Sequence, residues 1–237
     1  STARARDNRA DRVPPPATAQ RLVAAFGDEL AKLAKKNKKI IAMDADLVLD
    51  TGLVTFKKQF PERYVECGIA EQDMVSLAGG LALRGQLPLV HFFACFLTPR
   101  ANEQIYNNAT EKTKIIYVGS LAGLLPATPG HSHQSVRDIS LLGSVPGLTL
   151  IEPADEQETR LALRWAVEKN KQSTYLRLVS LPLVLDYKLP VNHKLIPGRG
   201  VYLRRGQDIL IIAYGPVMLN EALKAAKLLA KKKISAA

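Results

Sequence analysis

Short apolar runs and longer helical patterns take turns along this chain, and that alternation restricts the fold more than any other feature of the sequence. Runs with strand character fall at 39–43, 64–66, 87–93, 114–119, 148–152 and 174–178. Stretches with apolar residues at helical spacing fall between and before them, at 19–36, 70–84, 99–109, 136–142 and 155–169. Strand and helix in alternation predict an α/β fold with a mostly parallel sheet covered by helices on both faces. Ligands on such sheets gather outside the C-terminal ends of the strands. Asp46, the phenylalanines that close the run 87–93, and the loop 130–134 all fall at such ends.

The segment Glu66-Cys67-Gly68-Ile69-Ala70-Glu71-Gln72-Asp73-Met74 precedes His91-Phe92-Phe93-Ala94-Cys95-Phe96 by about twenty residues. Gly68 suits a turn, and Gly79 with Gly80 allows close backbone packing of the helix that follows. Glu71 lies in the first turn of that helix, where the dipole favours a carboxylate. A carboxylate facing a ring nitrogen, with aromatic rings to stack against it, can hold an aminopyrimidine. Taken singly, each of these residues has an ordinary structural use, as a dipole partner or as core.

With 237 residues the chain has enough apolar material for one large domain, or one domain and part of another. No apolar run reaches the ~20 residues that span a bilayer, and residues 1–16 carry no apolar signal core, so no membrane is expected and a cytoplasmic location is the default. Cys67 and Cys95 read as small buried side chains near the same site. The net charge of +11 is distributed in sequence over the N-terminal arm, 32–39, 224–233 and several loops, without a nucleic-acid motif. It reads mainly as solvated helix faces, and it also suits anionic substrates or an acidic partner subunit. Residues 1–16 read as a flexible arm ending in three prolines, 17–184 as the main domain, and 185–200 as a linker. A second α/β unit then opens with a strand at 208–213, a helix at 216–231 and another strand from Ile234, too little for a whole domain.

Several strings in fixed order resemble the transketolase family, specifically its pyrimidine-binding domain and the start of the C-terminal domain after it. They are Ala45-Asp46-Leu47, Gly68-Ile69-Ala70-Glu71-Gln72, Phe93-Ala94-Cys95-Phe96-Leu97 with Arg100, and Gly130 to Gln134. Further on come Pro146-Gly147-Leu148, Glu152-Pro153-Ala154-Asp155, Tyr175-Leu176-Arg177-Leu178 and Asp208-Ile209-Leu210-Ile211-Ile212-Ala213-Tyr214-Gly215. The resemblance implies transfer of a two-carbon ketol unit from a ketose to an aldose-like acceptor, with thiamine diphosphate as cofactor.

It also implies roles for single residues. Glu71 would face the ring nitrogen of the aminopyrimidine from a partly buried setting, and Phe93 and Phe96 would flank that ring. The family's third aromatic position falls on Pro99. Asp46 matches an acidic residue near the thiazolium, and it equally suits a cap or turn after the first strand. His133 would contact substrate and relay a proton, with His131, Gln134 and, more weakly, Arg137 beside it. His131 and Pro129 depart from the family's pattern in this loop. A phosphate-clamping arginine expected after 175–178 is replaced by Ser180, so Arg177 or Arg100 supplies that charge or the substrate is no ordinary sugar phosphate. No metal ligand is assigned to this chain. The family's Gly-Asp-Gly motif for Mg²⁺ is absent, so a diphosphate-binding subunit or domain is the expected partner, as in split transketolases, giving a dimer of pairs, a heterotetramer. The alternatives are the β subunit of a 2-oxo acid dehydrogenase, suggested by His131-Ser132-His133-Gln134-Ser135, and a non-catalytic subunit of the same fold.

Overall fold

The structure is a computed structural model that describes residue 16 and residues 18–126 and 130–237. The expectations for residues 1–15 and for Pro129 lie outside the described residues. Six strands form one sheet: β1 (Ile40–Asp44), β2 (Tyr64–Glu66), β3 (Leu87–Phe93), β4 (Ile116–Ser120), β5 (Thr149–Ile151) and β6 (Thr174–Arg177). Their order is β2-β1-β3-β4-β6-β5, and every neighbouring pair is parallel. The expected parallel sheet with helices on both faces is therefore what the chain forms, without an antiparallel strand in the sheet among the described residues.

Alternation of side chains across the sheet divides the core into two layers. On one face Ile40, Ala42, Leu87, Leu89, Ile116 and Val118 meet α1 (Leu22–Lys36) and α7 (Glu156–Glu168). The apolar stripe of α1, Leu22, Phe26, Leu30 and Leu33, supplies its half of that layer at helical spacing. On the other face Met43, Val90, Phe92, Tyr117 and Tyr175 meet α3 (Glu71–Leu83), α4 (Ala94–Arg100), α5 (Asn102–Thr110) and α6 (Asp138–Leu142). β3 lies in the middle and is buried along its whole length. Gly79 lets α3 approach α5 closely, because a Cβ there would collide with the side chain of Asn108, whereas Gly80 faces open space. Gly68 makes the expected turn with φ of 65°.

Several expectations need correction. The helix expected at 99–109 is two helices, and α4 begins five residues earlier, directly after β3; Pro99 lies inside α4 and the chain breaks at Ala101 before α5. A short helix, α2 (Val54–Gln59), follows β1 and was not expected; its six residues are too few to show a helical period. The strands expected at 208–213 and from Ile234 are reduced to one isolated parallel bridge, Ile209 with Ala236, beside α8 (Pro216–Lys231), which falls as expected. A two-strand edge without further neighbours gains few ladder bonds.

The connection leaving β1 turns toward β2 and the one leaving β3 turns toward β4, so the crevice where strand order reverses opens at the C-terminal ends of β1 and β3. The candidate site residues cluster around it.

Candidate functional site

Glu71 opens α3 after Ala70, at the positive end of the helix dipole, and is 5% exposed. It borders a depression of about 550 Å³ whose other walls are Ile69, Ala70, Gln72, Asp73, Ser76 and Arg100. Arg100, the last residue of α4, donates from Nη1 to Glu71 Oε1 at 2.5 Å. The same guanidinium lies 4.3 Å over the ring of Phe96, in the first turn of α4. From there the aromatic wall continues, with Phe96 and Phe93 6.3 Å apart between ring centroids and the His133 ring 5.0 Å from Phe96 and 6.2 Å from Phe93. Glu71, Arg100, Phe96, Phe93 and His133 thus form one continuous row. Phe92 belongs to the core layer under it, yet its ring is 6.0 Å from Phe96.

The loop carrying His133 is tied down from below. Ser135 exchanges backbone hydrogen bonds with Gly123 in both directions. The Ser135 carbonyl also accepts from Arg177 Nη2 at 3.4 Å. Arg177 is itself fixed by Asp138, which accepts from Nε at 2.7 Å, and by Glu152, 2.9 Å from Nη1. Tyr175 adds an O–H donated to Asp138 at 2.9 Å. Burial raises the Tyr175 phenol and keeps it protonated as that donor. With two carboxylates on it, Arg177 carries no spare charge toward the loop. Ser180, in the place of an expected arginine, accepts from the Leu121 amide at 2.7 Å and so serves backbone geometry. His133 is half-buried with Nδ1 3.0 Å from Ser132 Oγ, His131 is exposed, and Gln134 reaches the Leu124 carbonyl at 3.5 Å. Arg137 is exposed at the head of α6.

Asp46 stands apart from that row, exposed at φ of 70° on the crevice's other lip. The capping role open to it falls to Asp44 instead. Asp44 Oδ1 accepts from the amides of Ala45 and Leu47 at 2.7 and 3.3 Å, and Oδ2 from Thr51 at 3.3 Å. Burial pushes the Asp44 carboxyl up to about 6, against the pull of those amides. Glu66 accepts from the amides of Asp46 and Gly68 at 2.8 and 3.1 Å and from Tyr64 at 2.9 Å, which fixes the turn that delivers Glu71. Sequence reasoning missed Asp44 and Glu66 as the residues that shape this lip; the adjacency of each to a strand end was the available signal. Cys67 and Cys95 are free thiols, and burial pushes both up to about 11, so both stay protonated at neutral pH. No group of three His, Cys, Asp or Glu side chains suited to a metal ion occurs among the described residues. No helix among them is long and apolar enough to cross a membrane.

Comparison with known proteins gives two family matches. The profile "Transketolase, pyrimidine binding domain" matches residues 19–180, and "Transketolase, C-terminal domain" matches residues 198–237. The chain is 39% identical over 214 residues to 1-deoxy-D-xylulose-5-phosphate synthase 1 of Geobacter sulfurreducens, covering 89% of this chain and 33% of that protein. It is 34% identical over 213 residues to the 6-deoxy-6-sulfo-D-fructose transketolase subunit SqwH of Clostridium sp. (strain MSTE9), covering 89% of this chain and 65% of that subunit. Among solved structures, a split gene transketolase described as an inactive β4 tetramer superposes with a TM-score of 0.80 at 33% identity, over 92% of this chain and 70% of that one. The chain thus spans about one third of the synthase and about two thirds of the subunit.

Proposed function

Because this chain belongs to the transketolase family, we propose that it is the pyrimidine-side half of a thiamine-diphosphate-dependent transferase that moves a two-carbon ketol unit from a ketose to an aldose-like acceptor. The observation that carries the reading is the buried Glu71 carboxylate at the head of α3, set beside the Phe96–Phe93–His133 row. These residues fit the cofactor's aminopyrimidine: Glu71 would hold its ring nitrogen, and Phe93 and Phe96 would wall the ring and exclude water. When bound, thiamine diphosphate supplies the nucleophilic carbon that takes up the two-carbon fragment. Mg²⁺ and the diphosphate are assigned to a partner subunit or domain.

The remaining steps are those of this chain's own groups. Glu71 holds or releases a proton at its carboxylate, in contact with the cofactor ring. His133, braced from Ser132 and from the Arg177–Asp138 pair beneath the loop, is the candidate to hydrogen-bond the substrate carbonyl and carry its proton. His131 and Gln134 are candidate substrate contacts beside it. Asp46 is the candidate acidic group on the thiazolium side. Arg177 is spent on Asp138 and Glu152, so Arg100 is the candidate cation for an anionic group of the substrate once the cofactor ring has taken Glu71. The assembly proposed is a heterotetramer of two such halves with two diphosphate-binding subunits; the split gene transketolase on which the chain superposes is described as an inactive β4 tetramer. A second reading, a synthase like the Geobacter relative, is supported by the 39% identity over 214 residues.

The test is reconstitution with a diphosphate-domain partner and an assay of ketose cleavage. Under the proposal the mixture turns over only with cofactor and Mg²⁺, and Glu71→Gln lowers turnover by about 10²-fold or more while the complex still assembles. Full turnover by Glu71→Gln would overturn it.

A further inference from the structure

The lysines that look scattered in sequence do not stay scattered in space. All six strands are parallel, so every connection that enters a strand lies at one edge of the sheet, the edge opposite the candidate site. The α1–β1 connection carries four lysines within residues 35–39. Lys57 and Lys58 precede β2, Arg84 precedes β3, Lys112 precedes β4, and Lys169 and Lys171 precede β6. These ten cations are all exposed, and none is in an ion pair with another described residue. The same connections hold three acids, Glu62, Glu111 and Glu168, and Glu62 is engaged with Arg63 at 3.3 Å. The opposite edge holds both signs, with Asp44, Asp46, Glu66, Glu71, Glu152 and Asp155 beside Arg100, Arg137 and Arg177. The strand-entry edge therefore carries a clear excess of exposed positive charge.

We propose that this basic edge is a binding surface for the phosphodiester backbone of a nucleic acid, engaged without sequence preference. Three features select that class of partner. β2, β1, β3, β4 and β6 are successive neighbours, so at ~4.8 Å per strand the band runs for about 19 Å. That length matches five or six phosphates of one DNA strand at ~3.4 Å each. Protein interfaces draw their affinity from apolar and aromatic anchors, but Leu83 is the only large hydrophobic residue strongly exposed on these connections. Phosphate binding needs no such anchor, because its free energy comes from counterion release. Lysine ammoniums, nine of the ten cations here, act as point charges on flexible stems, which suits backbone contact and not base reading. The inference does not depend on the proposed ketol transfer, since the surface lies away from the candidate site.

The experiment is fluorescence anisotropy with a labelled 20-base-pair mixed-sequence DNA duplex and the whole chain, titrated at several salt concentrations. The expected slope of log K against log salt is about −4 to −5, from five phosphate contacts. The triple variant K38E/K58E/K171E should lower the magnitude of that slope by about three and weaken binding by tenfold or more. The control K188E/K194E/R199E changes the net charge equally in the segment that packs near Glu152, Glu158 and Arg177 at the opposite edge, and should keep the parent slope. Equal loss in both variants would overturn the proposal, because net charge alone would then explain the binding. Tighter binding to polyglutamate of matched charge or to anionic lipid vesicles than to the duplex would also overturn it, in favour of an acidic protein or a membrane. Circular dichroism and retention of partner assembly establish that the variants fold.

Discussion

The contact between Arg100 and Glu71 makes a quantitative prediction about cofactor entry. One guanidinium satisfies both requirements of the aminopyrimidine, a hydrogen bond to Glu71 at 2.5 Å and a face-on position 4.3 Å above Phe96. A ring that takes up Glu71 and Phe96 must first displace it. The Glu71 side chain is 6% exposed and that of Arg100 47%, so the charge-assisted bond sits between buried and surface values, at about 1–2 kcal/mol. The stacked cation adds roughly 0.5–1 kcal/mol. Arg100→Ala removes this competition, and thiamine diphosphate with Mg²⁺ should bind the reconstituted complex about 10- to 150-fold more tightly by calorimetry. Without cofactor the same change leaves Glu71 buried and unpaired, and the chain should lose about 1–2 kcal/mol in urea denaturation. Arg100→Lys keeps the charge and loses the plane, so it should fall between the two. Weaker cofactor binding by Arg100→Ala would refute the reasoning and make Arg100 part of the holder.

Further predictions concern the catalytic carboxylate, the loop support and the core. Glu71→Gln should lower cofactor-dependent turnover by about 10²-fold or more, while urea denaturation shifts by about 1 kcal/mol or less. Asp138→Ala strips Arg177 and Tyr175 of a shared partner, so it should cost about 3–5 kcal/mol in urea denaturation and reduce substrate affinity through the His133 loop. His91 is fully buried against Phe26, both ring nitrogens lack a partner, and burial lowers it from 6.5 to about 3. The unfolded chain therefore takes up that proton first, and His91 costs stability as pH falls from 6.5, about 3 kcal/mol by pH 4.5. Asp44, raised from 3.8 to about 6, acts in the opposite sense: its burial destabilises at high pH, and about 1.5 kcal/mol returns between pH 6 and 4.5. His91→Leu should accordingly leave stability equal or higher at pH 7, and its advantage over the parent should widen by about 3 kcal/mol at pH 4.5 by chemical denaturation.

What the sequence disclosed was what is local. β3 falls at the expected residues because seven consecutive apolar or aromatic positions between a turn and a helix leave little choice, and Glu71 opens α3 because Gly68 supplies the positive φ that turns the chain there. The start of α4 was hidden because Pro99 reads as a first-turn proline, whereas it sits near the end of a short helix. Asp46 drew attention as a motif residue, yet Asp44 does the capping. Asp44 closes β1 and is buried, whereas Asp46 lies beyond the strand and is exposed, and only the fold reveals which of the two is buried. Arg177, Asp138 and Glu152 lie far apart in the chain and pair only through the β4–β6–β5 order, so no spacing rule could join them. The basic edge was missed for the same reason: a parallel sheet sorts loops by whether they enter or leave a strand, which a charge count along the sequence cannot do.

The central claim is that Glu71 and its aromatic neighbours complete a thiamine diphosphate site only with a second polypeptide. The most direct test is calorimetric titration of thiamine diphosphate and Mg²⁺ into this chain alone, into a diphosphate-domain partner alone, and into their mixture. Tight, saturable binding in the mixture that far exceeds either component, and that Glu71→Ala removes, is the predicted result. No binding in a mixture shown by sedimentation to be folded and associated would contradict the claim.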